Sequence, residues 1–237
     1  MLPARPDPAL TRSRQDYLKA LYGLAPNGEA VSTSQIAMRL GVSAPSVTNM
    51  LARLARERLV IHTPRAGARL SASGRRAAIA MVRRHRILET FLVRVLKLDL
   101  SEVHSDAEIL EHAISDRVLE AIDRLVGHPA EDPHGHPIPD ANGRIPSRAL
   151  VPLADLSSGS RATVREIGDT DARRLARWKE LGLIPGALVT MREVRALDGV
   201  REVEIQGRRV VLGPEGLEGI LVEPRRPAVS RRARSAS

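Results

Sequence analysis

The sequence predicts a mainly α-helical protein with a small β-barrel near its C-terminal end, and three observations support this. Apolar residues recur at helical spacing through most of the first 125 positions, five prolines interrupt residues 128–149, and beyond Leu150 short alternating segments between turn residues replace the helical period. The 237 residues, 43% of them hydrophobic, suffice for ordinary globular cores in one to three domains. With no cysteine there is neither a disulfide nor a thiolate metal site, and no apolar run approaches the roughly 18 residues of a membrane span. Met1 to Pro8 lack a signal peptide's apolar core, so a cytoplasmic location is expected, with no membrane partner.

Helix one is expected from Gln15 to about Ala25, where Tyr17, Leu18, Leu21, Tyr22 and Leu24 keep helical spacing and Pro26-Asn27-Gly28 ends it. Ser32-Thr33-Ser34 caps a short run, Ile36 to Leu40, that stops at Gly41-Val42-Ser43. A new helix restarts at Ala44-Pro45-Ser46, where the missing N–H of Pro45 costs nothing, and runs through Asn49, Leu51 and Leu54 to Leu59. Two short helices joined by a tight Gly-containing turn form a helix-turn-helix, whose second member enters the DNA major groove. Leu59 to Thr63 and Ala68 to Ser71, flanking Pro64 to Gly67, add a hairpin wing. A plain helical hairpin is the alternative. Residues 1–98 argue against it, since 17 Lys/Arg against 5 Asp/Glu give them a net +12 suited to an anionic polymer.

A long basic helix is expected from Ser73 to Leu98, and an acidic one from Ser101 to Leu125, within a stretch (residues 99–127) of net charge −6. Residues 128–149 read as a Pro-rich linker, in which His134 and His136 are expected to be solvated because a mobile loop fixes no coordination geometry. Strands are expected at 161–167, 187–195, 201–206, 208–212 and 220–223, with one helix at 171–181. Together they suggest an SH3-like barrel. Only Lys19, Lys97 and Lys179 are lysines, so the arginine excess says less about phosphate binding than the segment charges do.

The chemistry concentrates in two clusters. His104, Glu108, Glu111 and His112 project from one side of a helix, and His85 and Glu89, four apart on the preceding one, can point at one ion. Imidazole and carboxylate without thiol suit a divalent transition metal. Scattered charges on an exposed helix would explain one such pair, but two this close are harder to dismiss.

Quoted in order, Gln15-Asp16-Tyr17-Leu18, Gly41-Val42-Ser43-Ala44-Pro45-Ser46-Val47-Thr48, Met81 to Glu89 and Val103 to His112 make this chain resemble the diphtheria-toxin-repressor family of metal-dependent transcription regulators over residues 12–224. The resemblance implies a winged helix-turn-helix DNA-binding domain (1–74), a helical dimerisation and metal-binding domain (75–127), the linker (128–149), an SH3-like, FeoA-like domain (150–224) and a basic disordered tail (225–237). It also implies a homodimer on palindromic double-stranded operator DNA, two ions per subunit, repression of metal-uptake genes, and no small-molecule substrate.

Residue by residue, the resemblance assigns Asp16, Glu108, Glu111 and His112 to a primary metal position and His85, Glu89 and His104 to an ancillary one. Some relatives add ligands from the C-terminal domain; the matching positions are Asp171 and Arg174, and an arginine cannot ligate. Iron-sensing members carry Met and Cys where this chain has Asp16 and Glu108, whereas manganese-sensing members, of the manganese transport regulator type, carry carboxylates. The resemblance therefore implies Mn²⁺, with Fe²⁺ as the alternative. Mn²⁺ binds most weakly of the divalent series, so a site for it offers hard oxygens and omits soft donors. Lys19 stands where some manganese sensors have Glu, which argues against a closely spaced binuclear centre. For DNA, the resemblance and the helix geometry nominate Ser43, Pro45, Ser46 and Asn49 as groove-facing, Asn49 being suited to adenine, and Arg65 and Arg69 of the wing for phosphate or the minor groove. A metallohydrolase is the alternative from another class. It would need an open coordination position and a general base, and no nucleophile motif or phosphate loop accompanies the cluster, so an enzyme is not expected.

Overall fold

A computed structural model of the chain describes residues 10–63, 65–168, 171–195 and 199–225. Pro64 of the expected wing, part of the Leu197-Asp198-Gly199 turn and the basic tail after Arg225 lie outside them. Two compact units form. The first holds the chain up to Leu98 with Ser105–Asp132 and Pro137–Pro146, and the second holds Asp99–His104, Pro133–His136 and the chain from Ser147.

In the first unit, α1 (Arg12–Leu24) supplies Tyr17, Leu18 and Leu21 to a core shared with Ile36, Val47 and Leu51. α2 (Thr33–Leu40) starts in a capping box, the Ser32 hydroxyl accepting from the Gln35 amide while the Gln35 side chain accepts from Ser32 N–H. It stops at Gly41, whose φ of 64° is left-handed backbone that a Cβ would disfavour. α3 (Ala44–Arg56) restarts three residues later, capped by Ser43 with Pro45 in its first turn. The expected helix to Leu59 ends three residues early, at Arg56. Strands β1 (Val60–Thr63) and β2 (Gly67–Leu70) pair antiparallel as the wing, and Val31 bridges to Ala68 beside them.

α4 (Ala72–Arg94) packs along α1, so the reading head and the long basic helix share one core. The expected single acidic helix is two, α5 (Val103–Ala113) and α6 (Asp116–Leu125). The break falls at Ile114-Ser115, because the Ser115 hydroxyl accepts from Val118 N–H and caps a new helix.

Residues 128–149 form no helix, as the prolines dictate, yet they are ordered against their surroundings. Arg83 and Arg86 donate to the carbonyls of Pro139 and Pro137, and Ile138 is buried. The expectation of a solvated His134 fails: its ring is fully buried, Nε2 donates to the Leu100 carbonyl, and its own carbonyl accepts from Ile167 N–H. Gly135 makes this close approach possible, since with φ 88° a Cβ there would lie 1.7 Å from the Arg165 carbonyl oxygen.

In the second unit, β3 (Val151–Pro152), β4 (Arg161–Ile167), β5 (Leu188–Val194), β6 (Arg201–Ile205), β7 (Arg208–Leu212) and β8 (Ile220–Pro224) form one antiparallel sheet in the order β3-β8-β4-β5-β6-β7. The expected SH3-like arrangement is present, but the sheet is open rather than a closed barrel. β3 and β7 are its edges, and β3 has only two residues, one of them a proline with no N–H to give a closing partner. α7 (Ala172–Leu181) and the short α8 (Pro214–Leu217) cover it. Trp178 is buried with Nε1–H donating to the Gly216 carbonyl, amid Val164, Ile167, Val189 and Ile220.

Candidate metal centre

Three helices of the first unit converge on one cluster. α1 contributes Asp16 and Lys19, α4 contributes His85 and Glu89, and α5 contributes Glu108, Glu111 and His112. Asp16 and Lys19, three apart, share a face of α1, while Tyr17, Leu18 and Leu21 bury the other side. α5 is placed by Arg84, which is 5% exposed: its Nε donates to the Glu111 carbonyl at 2.9 Å, one terminal nitrogen to the Ile114 carbonyl, and the other to Asp116 at 2.6 Å. The guanidinium fork satisfies the carbonyls that the last turn of α5 leaves without helical partners.

One side-chain atom from each of Asp16, Glu108, Glu111 and His112 lies within 4.8 Å of the other three. Two of these donors show that the group suits an ion. Asp16 Oδ1 and His112 Nε2 are buried and face each other at 2.9 Å, yet neither makes a hydrogen bond. The His112 tautomer is fixed from behind, Nδ1–H donating to Gln15 Oε1 at 2.7 Å, which leaves the Nε2 lone pair turned toward the carboxylates. Buried polar atoms with no hydrogen bond are costly, and a cation among these donors would remove that cost.

Charges in the cluster are strongly coupled. Burial works against ionisation of Glu111, but a hydrogen bond from His85 and the charge of Lys19 outweigh it and hold the carboxyl below its usual range. Burial is the largest influence on the Asp16 carboxyl and raises it above its usual range; the Glu108 charge adds to this and Lys19 opposes it. Burial disfavours the His85 cation too, but the Glu89 charge and hydrogen bonds to Glu111 and Glu89 push it up to about 10. His85 is thereby an imidazolium clamp, donating from Nδ1 to Glu111 at 2.6 Å and from Nε2 to Glu89 at 2.9 Å. Spacing alone put His85 and Glu89 side by side as ligands of one ion; here they bond each other. His104 stands half-buried on α5, one turn before Glu108.

Sequence reasoning missed Gln15 and Arg84 here, and noted Lys19 only as a departure from some manganese sensors, without its role. Lys19 donates from Nζ to Glu108 Oε1 at 2.5 Å and to Glu111 Oε1 at 2.7 Å, and its spacing from Asp16 was the available signal. Gln15 could have been noticed as a second polar side chain next to Asp16 at the start of an apolar-striped helix. Arg84 had no signal, because nothing in a run of arginines marks the one that turns inward.

In the second unit, Asp171 is the N-cap of α7, accepting from Arg174 N–H at 3.0 Å, and the Arg174 guanidinium lies on Glu218. The carboxylate nominated as an ancillary ligand thus already has a local structural role. Ser43, Pro45, Ser46 and Asn49 are all exposed at the start of α3, and the Ser43 and Ser46 hydroxyls bond each other at 2.9 Å. Arg65, with φ 67° at the tip of the wing, and Arg69 on β2 are exposed as well.

Comparison with known proteins matches most of the chain, domain by domain. Residues 9–68 match the profile of the iron dependent repressor N-terminal DNA binding domain, residues 71–140 that of the iron dependent repressor metal binding and dimerisation domain, and residues 151–224 the FeoA domain. The chain is 32% identical over 235 residues to the iron-dependent repressor IdeR of Mycobacterium tuberculosis, covering 90% of this chain and 98% of that one. Among solved structures, it is 40% identical to a manganese-dependent transcriptional repressor in complex with manganese, with a TM-score of 0.84 over 89% of this chain and 99% of that one. It is 29% identical to the manganese regulator SloR, with a TM-score of 0.75 over 91% of this chain and 100% of that one.

Proposed function

Because the chain belongs to the iron-dependent repressor family and is a metal-dependent transcriptional repressor rather than an enzyme, we propose that the ion it answers to is Mn²⁺. The observation that carries this is the donor set. Asp16 and Glu108 bring hard oxygens to Glu111 and His112, and no soft donor is among them, which is the composition that least favours the ions that outcompete Mn²⁺. Fe²⁺ is the competing reading, carried by the mycobacterial relatives' names.

Asp16, Glu108, Glu111 and His112 hold the primary ion, and His85, Glu89 and His104 form the ancillary position, giving two per subunit; ligation there requires His85 to give up a proton that now bonds it to Glu89 or Glu111, and His85 and His104 stand close to Glu108. A bound ion supplies a divalent charge on which carboxylates from α1 and α5 can converge. Gln15 keeps His112 in the ligating tautomer, and the burial of Tyr17, Leu18 and Leu21 transmits the position of α1 to α2 and α3. The protein acts in the cytoplasm as a homodimer on a palindromic operator and governs metal-uptake genes. α6 supplies the subunit contact, since Val118 and Leu125 are 43% and 64% exposed beside half-buried Leu119 and Ile122.

Titrating operator binding with Mn²⁺, Fe²⁺, Co²⁺ and Zn²⁺ under anaerobic conditions tests the reading, the expected order placing Mn²⁺ as an activator at physiological concentration. A response to Fe²⁺ but not Mn²⁺ would transfer the function to iron. The double variant Asp16→Met, Glu108→Cys is expected to move the response toward Fe²⁺ or Co²⁺, and an unchanged Mn²⁺ preference would remove the donor set from the argument.

On DNA, Asn49→Ala is expected to lose about 1–3 kcal/mol at one base position, whereas Arg69→Ala weakens all sequences alike and lowers the salt slope by about one. Binding measured across operator variants at several salt concentrations separates the two. An Asn49→Ala protein with unchanged base preference would displace α3 from the groove.

A further inference from the structure

The Lys19 ammonium lies on two of the carboxylates nominated as metal ligands, donating to Glu108 Oε1 at 2.5 Å and Glu111 Oε1 at 2.7 Å. The Glu111 oxygen it takes is also 3.5 Å from His112 Nε2, so the ammonium sits on the inner edge of the four-ligand group. Its side chain is 18% exposed, against 0% for Glu111, which leaves the flexible stem a route to solvent. The centre has four carboxylates, Asp16, Glu89, Glu108 and Glu111, and Lys19 with His85 supplies its positive charge.

We propose that Lys19 is a tethered competitor: its ammonium and a divalent ion contend for the same Glu108 and Glu111 oxygens, and this contest sets the ion concentration at which the repressor responds. An ammonium and a divalent ion cannot share those oxygens at bonding distance without strong repulsion, so binding the ion requires Lys19 to leave. The exchange changes how α1 is tied to α5. With Lys19 seated, the tie runs through residue 19; with the ion seated, it passes to Asp16, three residues earlier on the same helical face. Lys19 then sets the threshold of the response while ligating nothing. The inference rests on the metal reading above and is tested separately from it.

The full chain and its Lys19→Met and Lys19→Gln variants are compared by Mn²⁺ equilibrium dialysis and by thermal melting without added metal. Removing charge-assisted bonds that an ion must otherwise break is expected to tighten Mn²⁺ binding by roughly tenfold or more, while the melting temperature without metal falls because the carboxylates lose a counter-charge. A purely structural lysine would lower both stability and affinity, and that result, or unchanged affinity in both variants, overturns the proposal. If the parent and both variants bind no divalent ion, the metal reading falls and the proposal falls with it.

A second readout uses the scarcity of lysine. Only Lys19, Lys97 and Lys179 carry side-chain amines, so acetic anhydride labelling followed by peptide mass spectrometry resolves each of them. Mn²⁺ is expected to raise labelling of Lys19 several-fold relative to exposed Lys97. Saturation with Mn²⁺ and no change at Lys19 would contradict displacement while leaving the metal site intact.

Discussion

Asp16→Ala is expected to abolish metal-stimulated operator binding while leaving the fold intact and some metal bound. Moving a DNA-competent arrangement from about 1% to 99% of the population takes roughly 5.5 kcal/mol of preferential ion binding, and only interactions that differ between the two arrangements contribute to it. Glu111 and His112 stand together on α5 in either arrangement. In the proposed site, Asp16 is the one donor from α1, and through it the core of the reading head would be drawn onto the ion. Its loss costs the fold little, because burial and the nearby Glu108 already disfavour its charge, and the Lys19 bonds still join α1 to α5. Fluorescence anisotropy on a labelled operator, with and without Mn²⁺, should show a gain in operator affinity of about 100-fold in the parent, the ratio of the two competent fractions, and little or none in the variant. Dialysis on the same sample should still find Mn²⁺, more weakly held. A variant that responds like the parent would mean that coupling does not pass through α1.

Much of this was legible because the signals were local. Ser32 with Gln35, Gly41, Ser43 and Pro45 each declare a helix end within four residues, and the helix-turn-helix follows from their order. Three members of the candidate metal cluster were legible for the same reason, since Glu108, Glu111 and His112 lie within two turns. Asp16, about ninety residues away, was placed only through family resemblance, because no periodicity reports which face of α1 meets α5. The Ser115 break was present in the sequence as an ordinary cap, but continuous acidity and apolar spacing hid it. Packing of the proline-rich stretch was not legible: prolines exclude regular structure without saying whether the chain is solvated, and His134 is buried through a glycine's close approach to Arg165. The open sheet likewise depends on pairing between distant edges, about which alternation within strands is silent.

Arg84→Leu is expected to be the most destabilising single change in the first unit's polar network, and to impair metal binding from a residue that ligates nothing. Leucine keeps part of the stem's packing but removes the donors that reach the Glu111 and Ile114 carbonyls and Asp116. Asp116 is 38% exposed and can turn to water, so its share is discounted. The Glu111 carbonyl is buried and cannot, while the Ile114 carbonyl is part-buried and can do so only in part; at about 1–3 kcal/mol for an acceptor left unpaired, the loss is roughly 1–5 kcal/mol. The functional consequence follows from where the carbonyls are. Glu111 carries one of them, so releasing the end of α5 lets the Glu111 and His112 side chains drift from Asp16, and weaker support of this kind lowers affinity by about 10- to 100-fold in metal sites. Urea denaturation gives the first effect and Mn²⁺ dialysis the second, with Arg84→Lys, which keeps the charge but not the fork, falling between leucine and the parent. This pattern is the reverse of Asp16→Ala, where stability holds and the DNA response is lost. An Arg84→Leu protein that unfolds at the parent's urea midpoint would show that α5 is held by its apolar face alone, leaving Val103 and Ala107 to position the ligands.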